Sequence, residues 1–239
     1  MFGDIFIILI ATQLVKFGRK KSKKTIKYFF TLIIISIFFL FFISELLISR
    51  FLLLGNLNSL YSGEVYIDTS HWLFTIFSIE TATAISLIFY YLAQGYYGLS
   101  LSLTLPFEWT FGFGSSFAIN NIFENYLGYN LIEGITYPER SQNVYNWDAF
   151  SQWHTIFPWL ASDFTFFGAI ILVSTLIYFF GKAWKESLIN ENILSIILFS
   201  KLAIFVFFIP ANNQIFQSSN STLSFFILLF FWKFYRHKF

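Results

Sequence analysis

The stretch FPWLASDFTFFGAIILVSTLIYFF, residues 157–180, carries one charge, Asp163, in an apolar run, and Lys182 and Lys185 follow it. A bilayer's hydrocarbon core needs roughly 20 apolar residues of helix, so this segment is long enough to cross one, with its lysine-flanked end toward the cytoplasm. The chain around it fits that reading. Of its 239 residues 56% are hydrophobic and only 12% charged, too few to clothe a soluble domain of this length. The expected fold is an all-α polytopic integral membrane protein: one membrane domain over residues 1–239, with about six transmembrane or re-entrant helices.

Working outward, residues 193–209 and 223–235 read as further spans, the last closed by Lys233, Arg236 and Lys238. The loop PANNQIFQSSNST between them then lies outside. Upstream, residues 1–15 are apolar but short and read as a truncated helix whose beginning is missing. A signal peptide is a poor reading, because its basic region should precede the apolar run and here it follows. Residues 16–27 hold Lys16, Arg19, Lys20, Lys21, Lys23, Lys24 and Lys27. With spans on both sides this is a basic cytoplasmic loop and not a nucleic-acid patch. Residues 28–48 cross outward. In this arrangement every Lys and Arg is cytoplasmic except Arg50, Arg140 and Lys201, and Lys201 falls inside an expected span.

Residues 72–115 read as a hairpin or re-entrant pair dipping in from the outer face and broken near Gln94–Gly95. Its middle, YYLAQGYYGLSLSL, combines glycines, tyrosines (Tyr96 and Tyr97 among them), an amide and serines. Irregular backbone at membrane depth is tolerated only where protein or a wet cavity satisfies it, so this segment is expected to line a cavity. Residues 116–156 form the outer, periplasmic loop.

Few side chains on this map can do chemistry. Glu80 falls inside an expected helix, where a carboxylate is costly and should face water or a partner. It could bind a sugar hydroxyl, pair with an arginine, or only tie two helices together. Arg50 and Arg140 are the outer cations, and the planar guanidinium fork suits phosphate; anchoring at the interface, or pairing with Glu45 and Glu139, is the equal alternative. The segment TYPERSQNVYNWDAFSQWHTIFPWLASDF gathers Tyr145, Trp147 and Trp153 with Glu139, Asp148 and His154. Rings stack on the apolar faces of sugars while carboxylates take their hydroxyls, so the composition suits a glycan cleft. It equally suits an interfacial aromatic belt. Glu139, Asp148 and His154 are the candidate proton acceptors, and the sequence does not choose among them. There is no cysteine, no HExxH, no DxD and no GxSxG, so neither a metal nor a cofactor is expected.

Three motifs in order, QGYYGLSLSL at 94–103, PFEWTFGFGSS at 106–116 and WHTIFPWLASDFTFFGAI at 153–170, resemble the C-terminal half of the bacterial O-antigen or oligosaccharide repeat-unit polymerases, the Wzy-type family. The resemblance runs from about residue 50 to the end. It implies a GT-C-like, metal-independent inverting glycosyltransferase of the bacterial inner membrane. Such an enzyme moves a glycan from undecaprenyl pyrophosphate onto the next lipid-linked unit at the periplasmic face, alongside chain-length regulator and flippase proteins. Arg50 and Arg140 would be its phosphate ligands. Family members carry more spans than are read here, as expected of a fragment missing N-terminal helices, a misplaced start or a degraded gene product, and any of these would leave the chain inactive in isolation. Two alternatives stand beside it: a lipid-linked glycan ligase using similar chemistry, and a non-enzymatic transport or assembly subunit.

Overall fold

The computed structural model describes residues 2–19, 68–116, 133–190 and 192–235, together with positions 30, 33, 34, 37, 122, 124–126 and 128. Arg50 and most of the expected span 28–48 lie outside the described residues. Within them the fold is all-helical: α1 (Phe2–Arg19), a single turn α2 (Leu73–Ile76), α3 (Ile79–Leu103), α4 (Tyr137–Tyr145), α5 (Ile156–Ile189), α6 (Ile193–Phe208) and α7 (Ser219–Tyr235). Of these, α5 is long and apolar enough to cross a membrane, and α6 is a shorter apolar helix.

The helices start where local chemistry supplies caps. Asn192 closes the tight turn between α5 and α6, its side-chain oxygen accepting from the Leu194 N–H at 2.8 Å, so the two helices run antiparallel. Thr136 and Glu139 form a reciprocal capping box at the head of α4, and Asn146, in the left-handed region at φ 55°, ends it. The core lies between α1, α5, α6 and α7. There Phe180 stacks on Phe199 with centroids 4.9 Å apart, and Phe179 meets Trp232 edge-on at 6.0 Å. The Trp232 indole N–H donates to Ser195 Oγ at 3.0 Å, which satisfies the one polar atom of a buried ring.

Two ends of the bundle differ in character. At one end the Arg19 guanidinium donates to the Ser187 carbonyl, with Nε at 2.9 Å, and Lys182 lies over the Trp232 ring. At the other, Gln214 donates to Asp4 at 3.3 Å and the Ile156 N–H donates to the Ile209 carbonyl at 3.0 Å. Helices α1, α5 and α7 therefore run toward the basic end and α6 runs away from it. Among the described residues Lys16, Arg19, Lys182, Lys185 and Lys233 belong to the basic end and Lys201 lies midway along α6, donating to Ser221 Oγ at 3.0 Å. Arg140 belongs to the other end.

Several expected boundaries shift. Helix α1 runs on through Lys16 to Arg19, because Arg19 finds a carbonyl partner and can remain helical. Helix α7 begins at Ser219 and not at 223, and α6 ends at Phe208. The expected break at Gln94–Gly95 does not occur: α3 is continuous to Leu103, and the irregular backbone follows it, at 104–116. A break does occur in α5. Thr165 has φ 61° and ψ 166°, so the helix is interrupted after Phe164, and Thr165 Oγ1 accepts from the Gly168 N–H at 3.4 Å where it restarts.

Candidate functional site

The 104–116 loop is held by a single carboxylate. Asp163, 6% exposed in the last turn before the α5 break, accepts from Thr110 Oγ1, from the Gly112 N–H at 2.8 Å, from the Gly114 N–H at 3.2 Å and from the Ser115 N–H at 2.7 Å. Successive N–H groups converging on one anion form the kind of concavity that binds phosphate elsewhere, and here the chain's own carboxylate fills it. Gly112, at φ 90°, supplies the left-handed backbone that the turn needs. The same loop is sewn to its surroundings by the Thr110 N–H on the Ser162 carbonyl (3.1 Å) and by Asn213 Nδ2 on the Ser115 carbonyl (2.6 Å).

Arg140 stands beside this loop. It is 8% exposed; its Nη1 donates to Glu108 Oε1 at 2.9 Å and its Nε to the Ile135 carbonyl at 3.0 Å, and its guanidinium carbon lies 4.7 Å from the Tyr137 ring centroid. The remaining nitrogen, Nη2, is buried without a hydrogen-bond partner among the described residues. An unpaired buried donor costs about 1–3 kcal/mol, a cost that an anion arriving at this nitrogen would remove. Helix α4 is positioned for this by the Tyr137 N–H, which donates to Ser162 Oγ at 3.0 Å, and by the buried Ser102–Ser141 hydroxyl contact at 3.2 Å.

The three expected proton acceptors stand apart in their commitments. The Glu139 carboxylate is used by the capping box, accepting from Thr136 Oγ1 at 2.8 Å; burial raises its carboxyl above the ordinary range, and its bonds to Thr136 only partly offset that. Asp148 closes a turn by accepting from the Phe150 and Ser151 N–H groups at 2.8 and 2.6 Å. Burial works to raise its carboxyl, and those N–H groups, Ser151 foremost, outweigh it and hold it low. His154 is 1% exposed, and both ring nitrogens lack a hydrogen-bond partner among the described residues. Desolvation pushes it down to about 4; the Asp148 carbonyl pulls weakly the other way without completing a bond. The imidazole is therefore neutral at physiological pH and poorly suited to take a proton there.

The expected aromatic cleft is mostly core. Trp147 is 1% exposed, its N–H donating to the Trp153 carbonyl at 3.3 Å, with Tyr97 edge-on at 4.8 Å. Trp153 is half-buried against Tyr91, and the Gln94 amide oxygen accepts its backbone N–H at 3.3 Å. Tyr145 bonds Thr104 through their hydroxyls at 2.6 Å, Tyr96 is exposed, and Glu80 sits exposed in the first turn of α3, where the helix's positive end suits a carboxylate. The structure thus brings Arg140, Glu139 and Tyr145 together on α4 and draws Trp147, Trp153 and His154 into one packed cluster against α3. Sequence reasoning missed Glu108 and Asp163 as partners of this site. The available signals were a lone carboxylate in an apolar helix with no nearby cation in sequence, and the glycine pair of FGFGSS, which reads as too weak for a phosphate loop.

Compared with protein-family models, curated proteins and solved structures, the chain matches none.

Proposed function

We propose that this chain polymerises lipid-linked oligosaccharide repeat units of the O-antigen or capsule type. It would act as a multi-pass protein of the bacterial inner membrane whose basic end faces the cytoplasm. The transfer runs from undecaprenyl pyrophosphate at the periplasmic face. What supports the orientation is the sorting of charge between the two ends, since membrane proteins retain Lys and Arg on the cytoplasmic side. The observation that carries the function is Arg140: a buried guanidinium at the opposite end, clamped by Glu108, Ile135 and Tyr137, with one nitrogen still unpaired.

A glycosyl pyrophosphate already carries a competent leaving group, so the protein's main tasks are to neutralise developing charge and align the acceptor. A guanidinium held in place can do the first without reorganising. Arg50 is the second cation proposed for this role.

The test is complementation of a strain lacking its own polymerase, read as the ladder of repeat lengths. Arg140→Ala is expected to abolish the ladder with membrane abundance unchanged, and Arg140→Lys to restore only part of it, because an ammonium cannot make the paired bonds of the fork. A full ladder from Arg140→Ala overturns the reading. Transfer of a single unit to a lipid acceptor, with no ladder from the unaltered chain, would favour the ligase.

A further inference from the structure

Among the described residues, Glu108 is the one acidic residue at this end whose carboxylate is both exposed and in contact with Arg140. Its side chain is half exposed, and among the described residues its ion-pair partner is Arg140 Nη1, at 2.9 Å. Glu139 and Asp148 are consumed by backbone capping, Asp163 by the loop, and His154 is sealed in the core. Glu108 also directly precedes a pair of exposed rings. Trp109 is 56% and Phe111 69% exposed, their centroids 4.7 Å apart and their planes inclined by 34°. Both rings are open to a sugar, as Phe107 on the other side of Glu108 in sequence also is, whereas Trp147 and Trp159 are buried. Asp163, by holding Thr110, Gly112, Gly114 and Ser115, fixes the backbone that carries Glu108, Trp109 and Phe111 relative to α5.

Resting on the reading of Arg140 as the phosphate ligand, we propose that Glu108 is the catalytic base and the exchangeable partner of Arg140, and that Trp109 and Phe111 form the platform for the acceptor sugar. In the empty site Glu108 neutralises the guanidinium. An incoming pyrophosphate displaces Glu108 from Nη1, which opens the way to the buried Nη2, and the freed carboxylate turns to the acceptor hydroxyl lying on the ring pair. In the transfer the hydroxyl oxygen bonds to the anomeric carbon of the donor sugar, and the bond from that carbon to the phosphate oxygen breaks. The electron pair leaves with the lipid pyrophosphate, and the hydroxyl proton passes to Glu108. The exchange also prevents the base from acting before the donor is bound.

The experiment uses the full chain in lipid nanodiscs, with inorganic pyrophosphate as the binding probe and, for turnover, lipid-linked repeat units extracted from a strain lacking its polymerase. Glu108→Gln keeps the shape and an acceptor oxygen but removes the charge that competes for Arg140. It is expected to bind pyrophosphate several-fold more tightly while turnover falls by at least about 100-fold, the usual contribution of a general base. Glu108→Asp should recover part of that turnover, and Trp109→Ala should raise KM with kcat little changed. A residue that only supports the fold would lose binding and turnover together, so weaker pyrophosphate binding in Glu108→Gln, or turnover kept near the unaltered level, overturns the proposal. If Arg140→Ala abolishes pyrophosphate binding and Glu108→Gln leaves it unchanged, this inference alone fails. Binding untouched by Arg140→Ala sinks the reading beneath it as well.

Discussion

Gly95 and Pro210 meet backbone against backbone: a Cβ built on Gly95 would stand 2.0 Å from the Pro210 carbonyl oxygen. The Gly95 carbonyl accepts from the Thr155 N–H at 3.3 Å, and one turn on, a Cβ at Gly98 would fall 2.8 Å from Trp147 Nε1 and 3.0 Å from His154 Nδ1. The glycines of the GYYG segment therefore let α3 lie directly on the chain at 147–155 and 210. They permit close approach, and the helix needs no hinge there.

Gly95→Ala is accordingly expected to cost about 1–3 kcal/mol, because a backbone atom cannot give way as a side chain can. Gly181, in the interior of α5, has nothing within 4 Å of its added Cβ. Gly181→Ala should stabilise by about 0.5–1 kcal/mol through helix propensity alone. Thermal unfolding in detergent measures both, and equal effects at the two positions would refute the packing argument.

Asp163→Asn nearly conserves volume but turns an amide N–H₂ toward a ring of N–H donors. The loss is expected to be at least about 2 kcal/mol, since buried donors are left unpaired. The damage should be local as well as global, with new protease cleavage within 104–116 ahead of cleavage elsewhere. A variant with native melting and an uncut loop would show that the carboxylate does not hold the loop.

His154 makes the fold acid-sensitive. Its folded value, about 4, lies below the ordinary 6.5, so between these limits the unfolded chain takes up a proton that the folded one refuses. Stability is full above pH 6.5 and declines as pH falls toward 4, by about 3 kcal/mol at about 1.4 kcal/mol per pH unit. His154→Leu should remove that slope. The comparison is the melting midpoint of each protein from pH 7 to pH 4, and an unchanged slope in the variant would assign the acid sensitivity elsewhere.

Much of the helical framework was legible in the chain because apolar length and flanking lysines are local signals. The run 157–180 lies within α5, and 193–209 nearly coincides with α6. The Thr165 interruption was hidden, since no glycine or proline stands at or directly beside it to mark a break. Which aromatic rings face inward was hidden too. Trp147 and Trp109 are alike in composition and neighbourhood, and only the packing of α3 against the 147–155 segment buries the first and leaves the second open. Nothing local linked Glu108 to a cation 32 positions away.

Ser115 precedes Asp163 by 48 residues. At a synthesis rate of about 5–20 residues per second, the glycine-rich turn is made roughly 2–10 s before the carboxylate that fills it. During that interval its N–H groups have no native acceptor. A nascent chain stalled short of position 163 would carry the whole of α3 and the complete 110–115 segment and still have no means of closing it.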